Sequence, residues 1–405
     1  MFNIGIIREG KVPPDARTPL TPQQCARIKQ EFSVNVLVEP SPIRCYTDAE
    51  YQAQGIELCS DLSHCDVLLG VKEVPVDQLI PGKTYLFFSH TIKKQHQNRH
   101  LLQVVLEKHI RLIDYEVLTD EAGDRLIAFG FYAGLVGAHN TLFTFGQRSG
   151  AFQLPRMCDC HDYAKVKETY ASLQLPPLRI VLTGGGRVAS GAIRNLHDMG
   201  IRQVSPRDFL HHDYNVPVFT QLFAQDYVQH RSGPKIFDKA HFYAHGDEYI
   251  SRFAPFAHRA DIFINGIFYD KKAPMFFTAA EMADARFTIQ VIGDISCDIM
   301  PDSSVPVTLR ASTIADPVFG IHRYTGQECA PCQPDSIDVM AIDNLPSELP
   351  RDASGFFGNQ LIDNILPELL HAQDSAVITR AVIAENGHLT ERYAYLSDFV
   401  TENVC

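Results

Sequence analysis

Short, nearly uninterrupted apolar runs alternate along the first third of the chain with segments whose apolar positions recur at helical spacing. The order is NIGIIRE, TPQQCARIKQEF, VNVLVEP, TDAEYQAQG, DVLLGVKEV, TYLFFSH, QNRHLLQVVLEKH and IRLIDYEVL. Alternation of this kind predicts an α/β domain with a parallel sheet, and runs without period-2 alternation predict strands covered on both faces. Two of them, Leu68 to Val71 and Tyr85 to Phe88, end abruptly on Lys72 and His90. LTDEAGDRLIAF breaks the rhythm with a turn at Ala122-Gly123 and predicts a hairpin arm. A helix is expected over YAGLVGAHNTLFTFGQ, and a Pro- and Cys-bearing stretch from Leu154 to Asp162 looks like a crossing between domains. A second α/β region starts at LRIVLTGGGRVASGAIRNLHDMG and runs through ADIFING and FTIQVIGDIS. After Pro334 the pattern turns helical, with PRDASGFFGNQLIDNILPELL entered through Asp352 as N-cap, then SAVITRAVIAENG.

Composition narrows the function classes. A chain of 405 residues has material for two domains and a large core. A net charge of -12 leaves no basic face for nucleic acid or an anionic membrane, so small-molecule chemistry is the default. No apolar stretch approaches the ~20 residues that span a bilayer, and MFNIGIIREG lacks the layout of a secretion signal, so a cytoplasmic protein is expected. Ten irregularly spaced cysteines fit a reduced compartment. Cys158-Asp-Cys160-His161 and Cys329-Ala-Pro-Cys332 could together supply zinc ligands, but free surface thiols are the plainer reading, and no metal is expected.

Gly184-Gly185-Gly186-Arg187-Val188-Ala189 fits G-x-G-x-x-[G/A] between the predicted strand Arg179 to Thr183 and a helical pattern, the context that makes it a dinucleotide-binding turn. Gly184 would allow the tight turn, Gly186 the approach of a pyrophosphate, and Ala189 close helix packing. About 20 residues on, where NAD-binding chains usually present an acid, the second strand IRQVSPRD places Ser205 and Arg207. A hydroxyl and a guanidinium suit a 2′-phosphate, which favours NADP(H), while Asp208 just beyond keeps NAD(H) open.

Residues just past the C-terminal ends of parallel strands share one edge, where ligands bind. In the first region that edge collects Arg8-Glu9, Lys72-Glu73, His90 and Glu116. Oxidation of an amine or reduction of an imine needs hydride from a nicotinamide and proton transfers from the protein. Lys72 in a closing cleft beside cations would have a lowered pKa, and histidine is the side chain that titrates near neutral pH. Arg17, in PPDARTPLTP, would hold a substrate carboxylate through its guanidinium fork.

The stretches IREGKVPPDARTPLTP, GVKEVP, FFSHTIKKQ, IDYEVL, AFGFYAG, LTGGGRVASGA, YISRF, INGIFY, GDISCDI and AIDNLPSELPRDAS resemble, in this order, the lysine-ketoglutarate reductase (saccharopine dehydrogenase, lysine-forming) family. That family lies in the alanine dehydrogenase and transhydrogenase N-terminal-domain superfamily. The resemblance implies two Rossmann-like doubly wound parallel-sheet domains with a cleft between them: a substrate domain over 1–135, completed by C-terminal helices in 342–405, and a dinucleotide-binding domain over 136–341. It implies that Lys72 and His90 are the acid-base pair and that Arg17, Arg8, Glu73 and Glu116 line the substrate cleft. It also places Asn265 of FING and Asp294 of GDIS beside the nicotinamide and its ribose. The implied substrates are lysine, 2-oxoglutarate and saccharopine. TGGG, ISRF and GDISCDI lean towards the reductase half of the bifunctional lysine-degrading enzymes, LPSELPRDAS towards the stand-alone fungal type. An alanine dehydrogenase, taking ammonia and pyruvate, is the nearest rival, and a non-catalytic dinucleotide sensor is a rival of another class.

Overall fold

The computed structural model describes residues 1–371 and 375–401, and these form two compact units. The first unit is Met1–Phe129 with the described residues from Pro350 onward, and the second is Gly130–Leu349. The sequence expectation put the crossings at 135/136 and 341/342; its 342–405 segment includes 372–374 and 402–405, which lie outside the described residues. No helix among the described residues is long and apolar enough to cross a membrane.

The first unit begins with β1 (Asn3–Ile6), β2 (Asn35–Val38), β3 (Glu57–Leu58), β4 (Val67–Leu69), β5 (Thr84–Phe87) and β6 (Arg111–Asp114). The second unit holds β7 (Arg179–Thr183), β8 (Arg202–Gln203), β9 (Val218–Leu222), β10 (Val228–His230), β11 (Tyr249–Ser251), β12 (Ile262–Asn265), β13 (Val291–Asp294), β14 (Val318–His322), β15 (Glu328–Cys329) and β16 (Ser336–Met340). The chain then returns to the first unit with β17 (Val382–Glu385) and β18 (His388–Leu389).

The first sheet runs β18-β17-β6-β5-β4-β1-β2-β3, parallel except for the two returning strands, which are antiparallel. Its strands are short and almost wholly buried, as the unbroken apolar runs predict: Val67, Leu68 and Leu69 of β4 are all inaccessible. β2 and β3 lie on one side of β1 and β4 on the other, so the β1/β4 boundary is the topological switch point of this sheet. The helix Pro22–Glu31 starts on a Thr21/Gln24 capping box and packs on the returning helix Pro350–Gln360. There Gln24 Nε2 donates to the Gly355 carbonyl and to Asn359 Oδ1, while Thr18 N donates to Ser354 Oγ. The tail therefore buries its face on the first unit, and it brings two strands as well as the expected helices. Asp352 lies in the first turn of Pro350–Gln360, because Pro350 at the helix start already sets the boundary; the expected N-cap assignment is wrong. The hairpin arm is reduced to one antiparallel bridge, Thr119 to Arg125, around Gly123 at φ 86°.

The second sheet runs β15-β14-β16-β13-β12-β7-β9-β8, with β14 and β15 antiparallel at one end. Successive residues of β7 enter opposite cores: Ile180 and Leu182 pack with Leu135, Ala138 and Leu196, whereas Val181 packs with Phe209, Phe253 and Phe263. Helices Gly130–Ser149 and Arg187–Asp198 meet through glycine. A Cβ on Gly134 would collide with the Val188 carbonyl, and one on Gly191 with the Phe131 carbonyl. β8 is not the neighbour of β7, since β9 lies between them. This corrects the premise on which Ser205 and Arg207 were placed beside the glycine turn.

Candidate active site

The chemistry-bearing residues of the first unit all follow the C-terminal ends of its parallel strands. Lys72 and Glu73 leave β4, Ser89 and His90 leave β5, and Glu116 leaves β6, one edge gathering three loops. Desolvation pulls the Lys72 pKa down to about 8, and the charges of Arg17 and Lys11 add to it against Glu73 and Asp15. His90 takes a left-handed backbone, φ 53°, uncommon for a residue with a side chain and a turn that re-aims the chain as it leaves the strand. Its ring stacks on Phe88 and lies between two carboxylates, with Nε2 3.6 Å from Glu73 Oε1 and Nδ1 3.4 Å from Glu116 Oε2. Glu73 also reaches Lys11 Nζ at 3.2 Å. Glu116 is buried and paired with Lys93 at 3.0 Å and Arg125 at 2.7 Å. Burial works to raise its pKa, but the contacts with His90, Lys93 and Arg125 outweigh it and hold the carboxyl well below the usual range. The result is a row of ionisable groups, Lys11–Glu73–His90–Glu116, at the sheet edge that Lys72 also leaves.

Two further carboxylates, Asp114 and Glu9, fasten the loops of this edge through main-chain amides. Asp114, the last residue of β6, is inaccessible; it accepts from Ser89 N and Oγ on one oxygen and from Glu116 N at 2.7 Å on the other. Desolvation raises its pKa against those hydrogen bonds. Glu9, after β1, accepts from Val71 N at 2.7 Å and Lys72 N at 2.9 Å. Arg17 departs from its expected part. It is buried, its Nε and Nη2 fork onto Asp15 at 3.0 and 2.6 Å, and it stacks over Phe129, so its bidentate face is engaged within the protein. Arg8 is exposed and turned to Glu39 at the end of β2, 3.2 Å away, on the other side of β1 from Lys72.

In the second unit the glycine turn has the shape of a phosphate cradle. Gly184 sits at φ 108°, where a Cβ would strike the Gly266 carbonyl 2.6 Å away, and nothing stands within 4 Å of a Cβ on Gly186. Gly186 caps the helix Arg187–Asp198, whose first amides open onto that space, with Val188 partly and Ala189 fully buried behind them. This geometry fits a dinucleotide pyrophosphate. Beside the turn stand residues of β9 and its exit. Gln221 Nε2 donates to the Gly184 carbonyl at 2.8 Å, the Phe223 ring covers Gly185, and Asp226 accepts from Phe223 N at 2.8 Å. Ser205 and Arg207 are exposed past the edge strand β8, and Ser205 Oγ is occupied as the N-cap acceptor for Asp208 N. Asn265 and Asp294 close β12 and β13 as expected, but both are inaccessible. Asn265 Nδ2 donates to Asp294 Oδ1 at 2.9 Å and to Ser304, and Asp294 accepts from Ser296 and Thr308. They tie the loops after β12 and β13 together. Among the described residues no group of His, Cys, Asp and Glu has the geometry of a metal site, and Cys158, Cys160, Cys329 and Cys332 are free thiols.

Residues 5–136 match the family described as alanine dehydrogenase/PNT, N-terminal domain. Most of the matched stretch lies in the first unit. The chain is 30% identical over 447 residues to alpha-aminoadipic semialdehyde synthase of Arabidopsis thaliana, a match that takes in 97% of this chain and 41% of the relative. It thus spans less than half the length of that relative. It is 27% identical to saccharopine dehydrogenase (NAD(+), L-lysine-forming) of Emericella nidulans, over 91% of this chain and 92% of the other. These proteins are its homologues, and the chain is saccharopine dehydrogenase-like over most of its length. Among solved structures an L-alanine dehydrogenase superposes with a TM-score of 0.65 at 14% identity, covering 98% of this chain and 99% of that one. The two mostly parallel sheets with C-terminal strands returning to the first are therefore an alanine dehydrogenase-like fold.

Proposed function

We propose that this protein is an oxidoreductase that interconverts L-lysine plus 2-oxoglutarate and saccharopine. The observation that carries the reading is one sheet edge that bears both Lys72, whose amine burial brings to a pKa of about 8, and His90, held between Glu73 and Glu116. Forming an imine from an amine and an oxo acid requires protons to be taken from nitrogen and given to a departing hydroxyl. An amine with a lowered pKa and an imidazole at one sheet edge are suited to that work. Lys72 takes the proton from the attacking ε-amine, and His90 gives one to the carbinolamine hydroxyl as water leaves. Glu116, kept ionised by Lys93 and Arg125, steadies the imidazolium. Arg17 serves through its charge, which helps lower the Lys72 pKa, and a substrate carboxylate is met by Lys11. The Emericella nidulans relative, of which this chain covers 92%, is named for saccharopine and for forming L-lysine, which supports these two reactants.

The second unit would hold the dinucleotide at Gly184, Gly186 and the start of Arg187–Asp198; when bound it supplies hydride to the imine carbon. NAD(H) is the better fit. The strand next to β7 is β9, and the acid just past its end, Asp226, suits a ribose diol, while the hydroxyl and guanidinium proposed for a 2′-phosphate stand one strand further out. The test is absorbance at the reduced-nicotinamide band with 2-oxoglutarate and L-lysine, run with NADH and NADPH. Lysine-dependent decay that is faster with NADH supports both readings. Decay only with ammonia and pyruvate refutes the substrates, and faster decay with NADPH refutes the cofactor.

A further inference from the structure

We propose that Glu9 is the positioning residue of Lys72: its carboxyl grips the main-chain amides of Val71 and Lys72 and thereby fixes where the lysine leaves the sheet. This rests on reading Lys72 as the acid-base group of the first unit.

β1 and β4 pair in parallel as Ile4 with Val67, Gly5 with Leu68 and Ile6 with Leu69, and the ladder runs one step further through Ile7 N to the Leu69 carbonyl at 3.1 Å. Gly70 N then turns to β5, donating to the Leu86 carbonyl at 3.0 Å. The next two amides, Val71 and Lys72, lie past the end of β4. Glu9 meets both: Oε1 takes Val71 N at 2.7 Å and Oε2 takes Lys72 N at 2.9 Å. A carboxylate that receives two consecutive amides is held in one orientation and holds both peptides in return. Gly70 leaves room for the neighbouring Ile7, whose Cδ1 would stand 2.8 Å from a Cβ there. Asp114, two strands from β4, also accepts from two amides, Ser89 N next to His90 and Glu116 N after β6, and so ties two loops of this edge together.

For stability alone this is a poor use of a carboxylate. Both oxygens are spent on peptide N–H groups, and desolvation lifts the Glu9 pKa to about 7 against those hydrogen bonds. The gain is geometric. Lys72 must present its amine at a fixed depth, partly out of water and within the field of Arg17 and Lys11, and a loose strand end would let it swing to solvent.

The test uses Glu9→Gln, which keeps one acceptor and sets an NH2 against the other amide, and Glu9→Asp, which keeps the charge on a shorter stem. Two readouts are independent of turnover: hydrogen exchange of the Val71 and Lys72 amides, and the pKa of Lys72 from competitive acylation with acetic anhydride across pH. Glu9→Gln should speed exchange at those two amides about tenfold or more while the β1–β2 and β5–β6 ladders keep wild-type rates. It should also raise the Lys72 pKa by about one unit as the amine regains water. Glu9→Asp should fall between Gln and wild type, and it carries the test if the Gln variant does not fold. Unchanged exchange refutes the grip. Faster exchange with an unmoved Lys72 pKa makes Glu9 structural only and also overturns the proposal. Turnover of wild type with lysine and 2-oxoglutarate is scored separately, so the proposed reaction can fail while the grip stands.

Discussion

The proposed reaction makes Lys72 the base, and its protonation gives a signed prediction. An amine with a pKa of about 8 is mostly charged at pH 7 and mostly neutral at pH 9, so the step that needs it as a base should accelerate as pH rises through about 8 and then level off. Lys72→Met should lower kcat by about 100-fold or more while dinucleotide affinity, measured by fluorescence titration, stays within about twofold. Glu9 has the opposite sign in stability. Its folded pKa of about 7 lies above the ordinary value of 4.5, so the native state is favoured by protonation; that contribution is complete below pH 4.5 and is lost as pH rises through about 7. Urea midpoints of wild type and Glu9→Gln compared across this window should show the wild-type slope flattened in the variant. Lys72 and His90 were legible in the sequence because each ends a buried run on an ionisable group. Glu9 was visible only as one more charge at that edge, and Asp114 not at all, because an acid that bonds to main chain has no partner side chain to betray it. Arg17 was found in the right loop, but its Asp15 partner two residues earlier claims the fork.

At the scale of elements, the glycine turn works because two helices approach each other more closely than side chains permit. Gly134 and Gly191 place the start of Arg187–Asp198 against Gly130–Ser149. Gly191→Val should overpack this contact, destabilising the second unit by about 1–3 kcal/mol, and weaken dinucleotide binding by shifting the helix start. Thermal shift with and without NADH separates the two effects. The parallel strands, their order of appearance and the turn itself could be read from apolar runs and glycine spacing. The position of β8 could not. Its two residues pair only with β9, and sequence distance from the glycine turn does not reveal that the chain goes out to the sheet edge before coming back. Asn265 and Asp294 were found at the right strand ends, but only the packing shows that each satisfies the other. Buried polar groups must be paired, and partners 29 residues apart in sequence carry no local signature.

At the scale of the whole chain, the first unit is written in two pieces around the second. Because β6 ends at Asp114 and its neighbour β17 begins at Val382, one flank of the first sheet cannot close until nearly all of the chain exists. A fragment ending at Leu349 should fold its second unit but precipitate or bind the hydrophobic dye ANS through the first, while the full chain does neither. The returning segment has another consequence, in time. A ribosome adding about 5–20 residues per second needs on the order of a quarter of a minute to a minute to travel from β6 to β17. Throughout that interval β6 offers a bare row of peptide groups to any neighbouring nascent chain. Yield in a cell should therefore depend on translation speed across the second unit and on chaperones that shield strand edges, more than on the equilibrium stability of the finished protein.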